Sequence, residues 1–311
     1  AKINPDKCVS CGMCMVNCPF GAIADKSQFF QLIRALRRGD NIIAEVAPSY
    51  VGQFGDQATP GKIKAALLEL GFKDVFEVAL GADMGAATEA EHYAERVATG
   101  KQAFMLTSCC PSWAMLIRHY FPESADKISN TLTPMVATAR TIKKKYPDYR
   151  VVFIGPCAAK KLEASRRSVR SDVDFVITFE ELSAIFEAKG IDFAAFDKEA
   201  EMNDATGAGR GYAVAGGVAG AIEKCIREYY PDTEMNIQHV EGLEDCRKIL
   251  LLAKMGRLNG ALIEGMGCPG GCVAGAGTNI PINKATALVK KTVDTSAQAV
   301  PPKELAEIQL D

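Results

Sequence analysis

Cysteine is the residue type in this 311-residue chain that is best placed to do chemistry, with eleven cysteines against three histidines. Nine of them fall in four short runs: Cys8, Cys11, Cys14 and Cys18; Cys109 and Cys110; Cys157; and Cys268 and Cys272. Thiolates are soft ligands that select iron–sulfur clusters, Zn²⁺ or Cu⁺ over hard cations. Because these runs adjoin Gly and Pro turns, the sequence predicts metal centres built from cysteine.

The first run, Cys8 to Cys18, has the spacers of a bacterial ferredoxin and ends in Cys18-Pro19. Such short spacers let successive thiolates surround one [4Fe–4S] cluster. A zinc knuckle is the alternative, but zinc ligand sets usually pair two separated Cys-x2-Cys elements. In two-cluster ferredoxins the fourth cysteine serves the other cluster. Three possibilities therefore stay open: Cys18 closes its own cluster, another cysteine helps, or an upstream run is missing.

Four of the remaining cysteines are enough to close a second [4Fe–4S] cluster, and they are Cys110, Cys157, Cys268 and Cys272. A helix beginning at Pro111 would turn its positive end toward an anionic cluster. Gly270 and Gly271 permit a close approach of the backbone. Cys109 is left spare beside a ligand and near a helix amino terminus, where a thiol can titrate usefully. Cys225 and Cys246 lie in helical stretches and are interpreted as buried structural thiols.

Hydrophobic periodicity places these cysteines on an α/β framework of parallel layers. Strands are predicted at 41–47, 74–79, 104–106, 150–154, 174–178, 235–240 and 260–264, and helices at 62–70, 89–99, 111–120, 180–189 and 243–254. Three cysteine runs then lie just past the carboxyl ends of strands. Open α/β sheets bind their ligands at that edge.

The order of these elements predicts a small cysteine module at residues 1–27 and a larger domain at 28–311. Within the larger domain, the pattern restarts near residue 150. We therefore expect one parallel-sheet lobe at about 40–149, a second at about 150–285, and a terminal segment at 286–311.

Composition excludes several classes of partner. Thirty-six basic and 38 acidic residues leave a net charge of −2, so nothing predicts nucleic acid or an anionic membrane as a partner. No apolar run reaches the ~18 residues that a membrane span needs, and the first residues lack the apolar core of a signal peptide. We expect a soluble cytoplasmic protein, in which reduced cysteines bind metal rather than form disulfides.

The three later motifs resemble the signatures of the catalytic domain of [FeFe]-hydrogenases. They are Thr107-Ser-Cys-Cys-Pro-Ser-Trp113, Gly155-Pro-Cys-Ala-Ala-Lys-Lys161 and Glu264-Gly-Met-Gly-Cys-Pro-Gly-Gly-Cys272. The resemblance implies an H-cluster at the lobe junction, a [4Fe–4S] cube joined to a diiron unit bearing CO, cyanide and an azadithiolate. The implied activity is reversible H2 oxidation and proton reduction, with electrons carried by the cluster of the first run.

The resemblance also assigns roles around the H-cluster. Cys110, Cys157, Cys268 and Cys272 would hold the cube, with Cys272 as the bridge to the diiron unit. Cys109 would exchange protons with the azadithiolate amine. Lys160 would donate a hydrogen bond to a cyanide, and the diiron pocket would be lined by Pro48, Ser49 and Met266.

A proton path follows from the same alignment. Glu89 falls on the acidic relay position of the family, Arg96 on its arginine, and Ser129 on the serine between them and the thiol. The second relay glutamate is replaced by His92, with Glu91 beside it, and either of these two residues is a candidate for the outer relay.

Two further departures predict a divergent branch of the family. Gly155 stands where the family has a methionine beside the diiron site. After Cys272 the usual Gly-Gly-Gly-Gln-Pro sequence is replaced by Gly-Ala-Gly-Thr-Asn at 275–279.

The implied partners are H2 and protons, a ferredoxin or another redox protein as electron acceptor, and maturation proteins that deliver the diiron unit. Three alternatives to a free-standing enzyme remain. The chain could be an H2 sensor with slow turnover, although it keeps Cys109, or a relative that lacks the H-cluster and serves iron–sulfur assembly. It could also be a subunit of a larger electron-transfer complex, and the sequence does not specify an oligomeric state.

Overall fold

A computed structural model describes residues 3–202 and 205–307 of the chain. The strands of this part are β1 (Ile42–Val46), β2 (Asp74–Glu77), β3 (Phe104–Leu106), β4 (Arg150–Gly155), β5 (Phe175–Thr178), β6 (Asn236–Glu241) and β7 (Ala261–Met266). Its α-helices are α1 (Met13–Val16), α2 (Phe29–Arg37), α3 (Pro60–Glu69), α4 (Ala79–His92), α5 (Pro111–Tyr120), α6 (Pro134–Lys145), α7 (Ala158–Ala164), α8 (Phe179–Ala188), α9 (Gly207–Gly211), α10 (Gly217–Tyr229), α11 (Leu243–Lys254) and α12 (Ile282–Asp294).

Two parallel sheets form the centre of the molecule. The first sheet has the strand order β2-β1-β4-β5 and the second has the order β3-β7-β6. Every strand pair in both sheets is parallel. The predicted α/β class with parallel sheets is therefore confirmed, and all seven predicted strands are present with bounds shifted by two residues or fewer.

The expected division into contiguous lobes at 40–149 and 150–285 is wrong for the sheets. The first sheet joins β1 and β2 to β4 and β5, so that Ile42 lies opposite Arg150. The second sheet pairs β3 with β7, with Phe104 opposite Ala261. Strands that are buried on both faces have similar apolar sequences. Hydrophobic periodicity therefore locates each strand but does not specify which strand pairs with it.

Burial explains why the central strands read as continuous apolar runs. All five residues of β1 and all six of β7 are buried. Helices α6 and α8 pack on the first sheet, whereas α5, α10 and α11 pack on the second. Parallel sheets covered on both faces favour such sequences. Cys225 and Cys246 are fully buried in this packing.

Proline begins three of the helices in the described part of the chain. Pro60, Pro111 and Pro134 occupy the first turns of α3, α5 and α6, where the missing N–H costs nothing. Helix α4 differs from the prediction of a helix at 89–99. It begins ten residues earlier, at Ala79, and passes into a π-helical turn at Tyr93–Val97.

Tertiary packing outweighs helix propensity at the start of α4. Glycine weakens a helix interior, yet Gly81 is required there because a Cβ atom would lie 2.4 Å from the carbonyl oxygen of Pro134. No helix among the described residues is both long enough and apolar enough to cross a bilayer.

A close contact between β7 and α5 fixes the distance between two of the cysteine runs. A Cβ atom at Gly265 would lie 2.3 Å from the indole ring of Trp113, which is fully buried. Gly265 precedes Cys268 by three residues and Trp113 follows Cys110 by three. The absent side chain therefore lets the two cysteine-bearing segments approach each other.

We expect Gly265→Ala to destabilise the protein by about 1–3 kcal/mol or more, because the indole has no free space to move into. Gly220→Ala is the matched control, since a Cβ at this helical position meets nothing within 4 Å and Ala improves helix propensity by up to about 1 kcal/mol. Thermal unfolding of both variants checks this. An equal melting temperature for Gly265→Ala and the wild type would contradict it.

Candidate metal centre

A cavity lies at the carboxyl ends of strands from both sheets. Its walls come from the segments that follow β1, β3, β4 and β7, as expected for a ligand site in parallel α/β proteins. Every predicted residue of the H-cluster environment lines it, namely Cys109, Cys110, Cys157, Cys268, Cys272, Lys160, Met266, Pro48 and Ser49. The interleaved sheets thus bring together residues that are up to 224 positions apart in the chain (48 to 272).

Local structure presents two of these thiols at helix starts. Cys110 is the residue that precedes α5, and Cys157 precedes α7, both with extended backbone. The helix dipole favours negative charge at such positions. The amide of Gly267 also donates a hydrogen bond to Cys110 Sγ at 3.5 Å.

The loop before Cys272 depends on the absence of a side chain at Gly271. Its φ of 88° is in the left-handed region, and a Cβ would lie 2.5 Å from the amide nitrogen of Ala215. This contact seats the loop against the segment after α9 and turns Cys272 into the cavity.

The pKa values of the cavity thiols indicate the charge that a bound group must carry. Burial and the neighbouring thiols raise the pKa of Cys157 to about 11 and raise the pKa values of Cys268 and Cys272 above their usual range. The charge of Lys160 lowers the pKa of Cys157 and Cys272. Thiolates at these positions therefore need a positively charged partner, which iron supplies.

The arrangement of the cavity thiols suits an iron–sulfur cluster better than a single metal ion. In the part of the chain that the structure describes, no three Cys, His, Asp or Glu side chains meet as a site for a single metal ion. The thiols instead surround a volume lined largely by apolar groups. The hydroxyl of Ser49 is buried in this wall with no hydrogen-bond partner among the described residues, so it is available to a bound group.

Lys160 is held in a buried group of charges. Its Nζ atom donates to Glu163 Oε2 at 2.6 Å and to the carbonyl oxygen of Cys109 at 3.4 Å. Glu45, in the middle of β1, is also fully buried, and neither of its carboxyl oxygens has a hydrogen-bond partner among the described residues. Burial raises the pKa of Glu45 well above its usual value, an effect that the charge of Lys160 opposes.

The sequence analysis missed both of these carboxyl groups. A glutamate within the apolar run Ile42–Val46 was the available signal for Glu45, because a buried strand rarely carries a charge. Glu163 had a weaker signal, its position three residues after Lys160 on a helix.

Cys109 and Glu89 lie together on the side of the cavity that faces α4. Burial, followed by the negative groups Cys110 and Glu89, raises the pKa of Cys109 well above its usual value. Burial also raises the pKa of Glu89 to about 7, although hydrogen bonds with Ser129 and Ser108 oppose this. Ser108 Oγ lies 3.5 Å from Glu89 Oε1.

A second buried acid stands close to the same thiols and was also missed. Glu264 is the fourth residue of β7, and its carboxylate accepts hydrogen bonds from the amides of Gly216 at 2.9 Å and Ala219 at 2.7 Å. Burial raises its pKa to about 7. Its charge acts on Cys109 and Cys272.

The outer residues of the predicted proton path lie farther along α4. His92 lines a second, smaller cavity, the outer groove, together with Met84, Gly85, Thr88, Asn130, Thr131, Leu132, Ala137 and Ala306. Its buried Nδ1 atom has no hydrogen-bond partner among the described residues, and burial followed by the charge of Arg96 lowers its pKa. Arg96 is exposed on the π-helical turn, and Glu91 is half-buried. The relay roles of His92, Glu91 and Arg96 stay predictions.

Phe153 occupies the space beside Gly155. A Cβ at Gly155 would lie 2.6 Å from the Phe153 ring and 2.9 Å from Ala47 Cβ. The ring also lines the cavity. The volume of the methionine expected in the family is therefore taken by an aromatic ring from the same strand face, two residues earlier.

The first cysteine run has backbone amides directed at its sulfur atoms. The amide of Ser10 donates to Cys8 Sγ and that of Ala22 to Cys18 Sγ, each at 3.4 Å. Hydrogen bonds from the amides of Ala22 and Phe20 lower the pKa of Cys18. Such amide hydrogen bonds are typical of iron–sulfur ligands.

This run packs against the wall of the main cavity. Val9 is buried in one hydrophobic cluster with Trp113, and Cys11 and Cys110 both pack against that cluster. Gly12, with a φ of 79°, lies so close to the loop after Cys272 that a Cβ would be 2.6 Å from Ala276 Cβ. Tyr120 Oη donates to the carbonyl oxygen of Lys7 at 3.0 Å.

Comparison with known protein families identifies both parts of the chain. Residues 40–276 match the family described as iron only hydrogenase large subunit, C-terminal domain. Residues 1–24 match the 4Fe-4S binding domain. The chain is therefore an iron–sulfur protein.

Two curated relatives are hydrogenases by name. The NADP-reducing hydrogenase subunit HndD of Solidesulfovibrio fructosivorans is 30% identical over 87% of this chain and 55% of its own length. Iron hydrogenase 1 of Clostridium pasteurianum is 30% identical over 83% of this chain and 54% of its own length. The chain thus spans about half the length of these relatives.

Similarity extends to a protein of another function. The cytosolic Fe-S cluster assembly factor NAR1 of Meyerozyma guilliermondii is 27% identical over 60% of this chain and 40% of its own length. Family membership alone therefore does not decide between H2 chemistry and cluster assembly.

Solved structures agree on the fold. The [FeFe]-hydrogenase HydA1 from Chlamydomonas reinhardtii superposes with a TM-score of 0.73 over 91% of this chain and 94% of that chain, at 20% identity. With the family match over residues 40–276, this leads to one conclusion: the chain belongs to the family of the iron-only hydrogenase large subunit.

Proposed function

We propose that this chain is an [FeFe]-hydrogenase that interconverts H2 with two protons and two electrons. The observation that carries the proposal is the set of five cysteines and Lys160 around one cavity. Four thiols are enough to hold a [4Fe–4S] cube, which leaves Cys109 free for proton transfer beside a buried carboxyl group. An iron–sulfur assembly factor has no evident use for such a pair.

Cys110, Cys157, Cys268 and Cys272 would hold the cube, and Cys272 would carry the bridge to the diiron unit. When bound, that unit would supply an iron as Lewis acid and an amine as base for the heterolytic cleavage of H2. The protein contributes a cavity that is lined largely by apolar groups. Lys160, Ser49 and the side chains of Pro48 and Met266 would hold the unit in that site.

Protons would pass between the cavity and Glu89 through the Cys109 thiol. The carboxyl group lies close enough to the thiol for its charge to raise the pKa of Cys109, and Ser108 and Ser129 lie beside the carboxyl group. A pKa of about 7 lets Glu89 both accept and release a proton at neutral pH.

Electrons would reach the cavity through its contact with the first cysteine run. The first cysteine run would hold one [4Fe–4S] cluster, and the hydrophobic cluster that includes Val9 and Trp113 joins it to Cys110. A ferredoxin or a similar redox protein is the expected external partner, and delivery of the diiron unit would require maturation proteins.

Two other functions compete with this proposal. The NAR1 relative favours an assembly factor without the diiron unit, and slow turnover would indicate an H2 sensor. Infrared spectroscopy distinguishes an assembly factor from a hydrogenase, because CO and cyanide absorb at frequencies where protein does not.

We expect CO and cyanide stretching bands after the iron–sulfur-loaded protein is incubated with the diiron complex. Cys272→Ala, which removes the proposed bridge, should keep iron in the first run but lose these bands. Iron content and infrared spectra of both proteins provide the measurement. Full iron–sulfur loading of the wild type with no such bands would reject the hydrogenase and support the assembly factor.

We expect Cys109→Ala to lower H2 turnover by about 10²- to 10⁴-fold, the usual contribution of a positioned proton-transfer group, while the CO and cyanide bands remain. Cys225→Ala is the matched control, because that thiol is buried in the helical core and does not line the cavity. Turnover and infrared spectra are measured together. Unchanged turnover in Cys109→Ala would remove the thiol from the proton path.

We expect the protonated carboxyl band of Glu89 to disappear as pH rises through about 7, because burial favours the neutral form. The folded-state pKa lies above the ordinary value of about 4.3, so stability on the order of 3 kcal/mol is lost as pH rises between the two values. Infrared titration of the wild type and Glu89→Gln checks this. Glu264→Gln is the control, since it removes the other carboxyl group with a pKa of about 7. A Glu89 band that titrates near pH 4 would contradict the expectation.

A further inference from the structure

We propose that Thr131 connects the proton path to solvent, by passing protons from Ser129 into the outer groove. This inference rests on the proposed function, since it concerns the supply of protons to Glu89. It differs from a path that leaves along α4 through Arg96, because its last protein group lies on the segment between α5 and α6.

Hydrogen bonds define the connection. Ser129 lies close enough to Glu89 to lower the pKa of its carboxyl group, and Ser129 Oγ donates to Thr131 Oγ1 at 2.9 Å. Ser129 Oγ in turn accepts from the amide of Thr131 at 3.2 Å. Ser129 therefore lies between the buried carboxyl group of Glu89 and Thr131, which lines the outer groove.

The loop that carries these hydroxyl groups is fixed to the second sheet. The amide of Ser129 donates to the carbonyl oxygen of Leu106, the last residue of β3, at 2.7 Å. The hydroxyl of Ser108 donates to the carbonyl oxygen of Thr131, also at 2.7 Å. Because Ser108 also contacts Glu89, the loop and the carboxyl group are held in one arrangement.

The outer groove provides the exit. Asn130 is exposed at this groove, so water can reach the Thr131 hydroxyl. His92 faces the same groove with its Nδ1 atom lacking a partner among the described residues, which makes it an acceptor close to the outlet. Arg96 is exposed on the π-helical turn beyond this groove.

Proton transfer along this chain conserves atoms and charge. The O–H bond of Glu89 breaks as its proton passes to Ser129 Oγ, the original Ser129 proton passes to Thr131 Oγ1, and the Thr131 proton passes to water in the groove. Rotation of the two hydroxyl groups restores the starting arrangement. The reverse sequence brings a proton inward for H2 formation.

The test compares Thr131→Val, which keeps the shape but removes the hydroxyl, with Thr131→Ser, which restores it. Thr88→Val is the matched control, because Thr88 lines the same groove but its hydroxyl donates within α4 to the carbonyl oxygen of Met84 at 2.9 Å. The primary readout is the rate of hydrogen–deuterium exchange at the Glu89 carboxyl band after mixing with D2O, with the band identified by Glu89→Gln. Turnover of the loaded enzyme is the second readout.

We expect Thr131→Val to slow both the exchange and the turnover by about tenfold or more. Thr131→Ser should stay within about twofold of the wild type, and Thr88→Val should match it. Exchange in Thr131→Val as fast as in the wild type would overturn the proposal, and so would an equal loss in Thr88→Val. Exchange does not require the diiron unit, so absent CO and cyanide bands would reject the hydrogenase function separately.

Discussion

Buried negative charge is the constraint on which the rest of this structure depends. Thiols and carboxyl groups surround one largely apolar cavity, where burial and mutual repulsion raise the pKa values of Cys109, Cys157 and Cys272. Several groups partly compensate this negative charge. They are Lys160, the helix amino termini at Cys110 and Cys157, and the backbone amides that donate hydrogen bonds to Glu264. The remaining repulsion between these groups would be relieved by the positively charged core of an iron–sulfur cluster, so the same repulsion favours metal binding.

The interleaving of the two sheets gives that cavity its walls. Each sheet draws strands from both parts of the chain, so the carboxyl ends of β1 and β4 face those of β3 and β7 across the site. The separation of the walls is set by close contacts at glycines, which have no side chain. One example is Gly265, which packs directly on the indole ring of Trp113. A ligand set drawn from three strand ends is rigid because each strand is buried within a sheet.

Under the proposed function, protons and electrons would approach the site from different sides. Cys109 packs against the hydrophobic cluster that includes α4, where Glu89 and the outer groove lie. Cys11 packs against a different cluster, centred on Trp113 and Val9, and Cys110 packs against both clusters. The proton side is polar, with hydroxyl and carboxyl groups in hydrogen-bond contact, whereas the electron side is apolar. Electron transfer needs only close packing, but proton transfer needs a continuous series of donors and acceptors.

Periodicity and cysteine spacing are local properties, so the amino-acid sequence was enough to predict the class of fold and the positions of the strands, and to propose the metal ligands. It also indicated Glu89 and Ser129 through a resemblance to a family. The three-dimensional structure was needed to show which strands are neighbours, that Phe153 fills the space beside Gly155, and that Glu45, Glu163 and Glu264 are buried near the cavity. These facts depend on contacts between residues far apart in the chain, and spacing along a sequence carries no information about them.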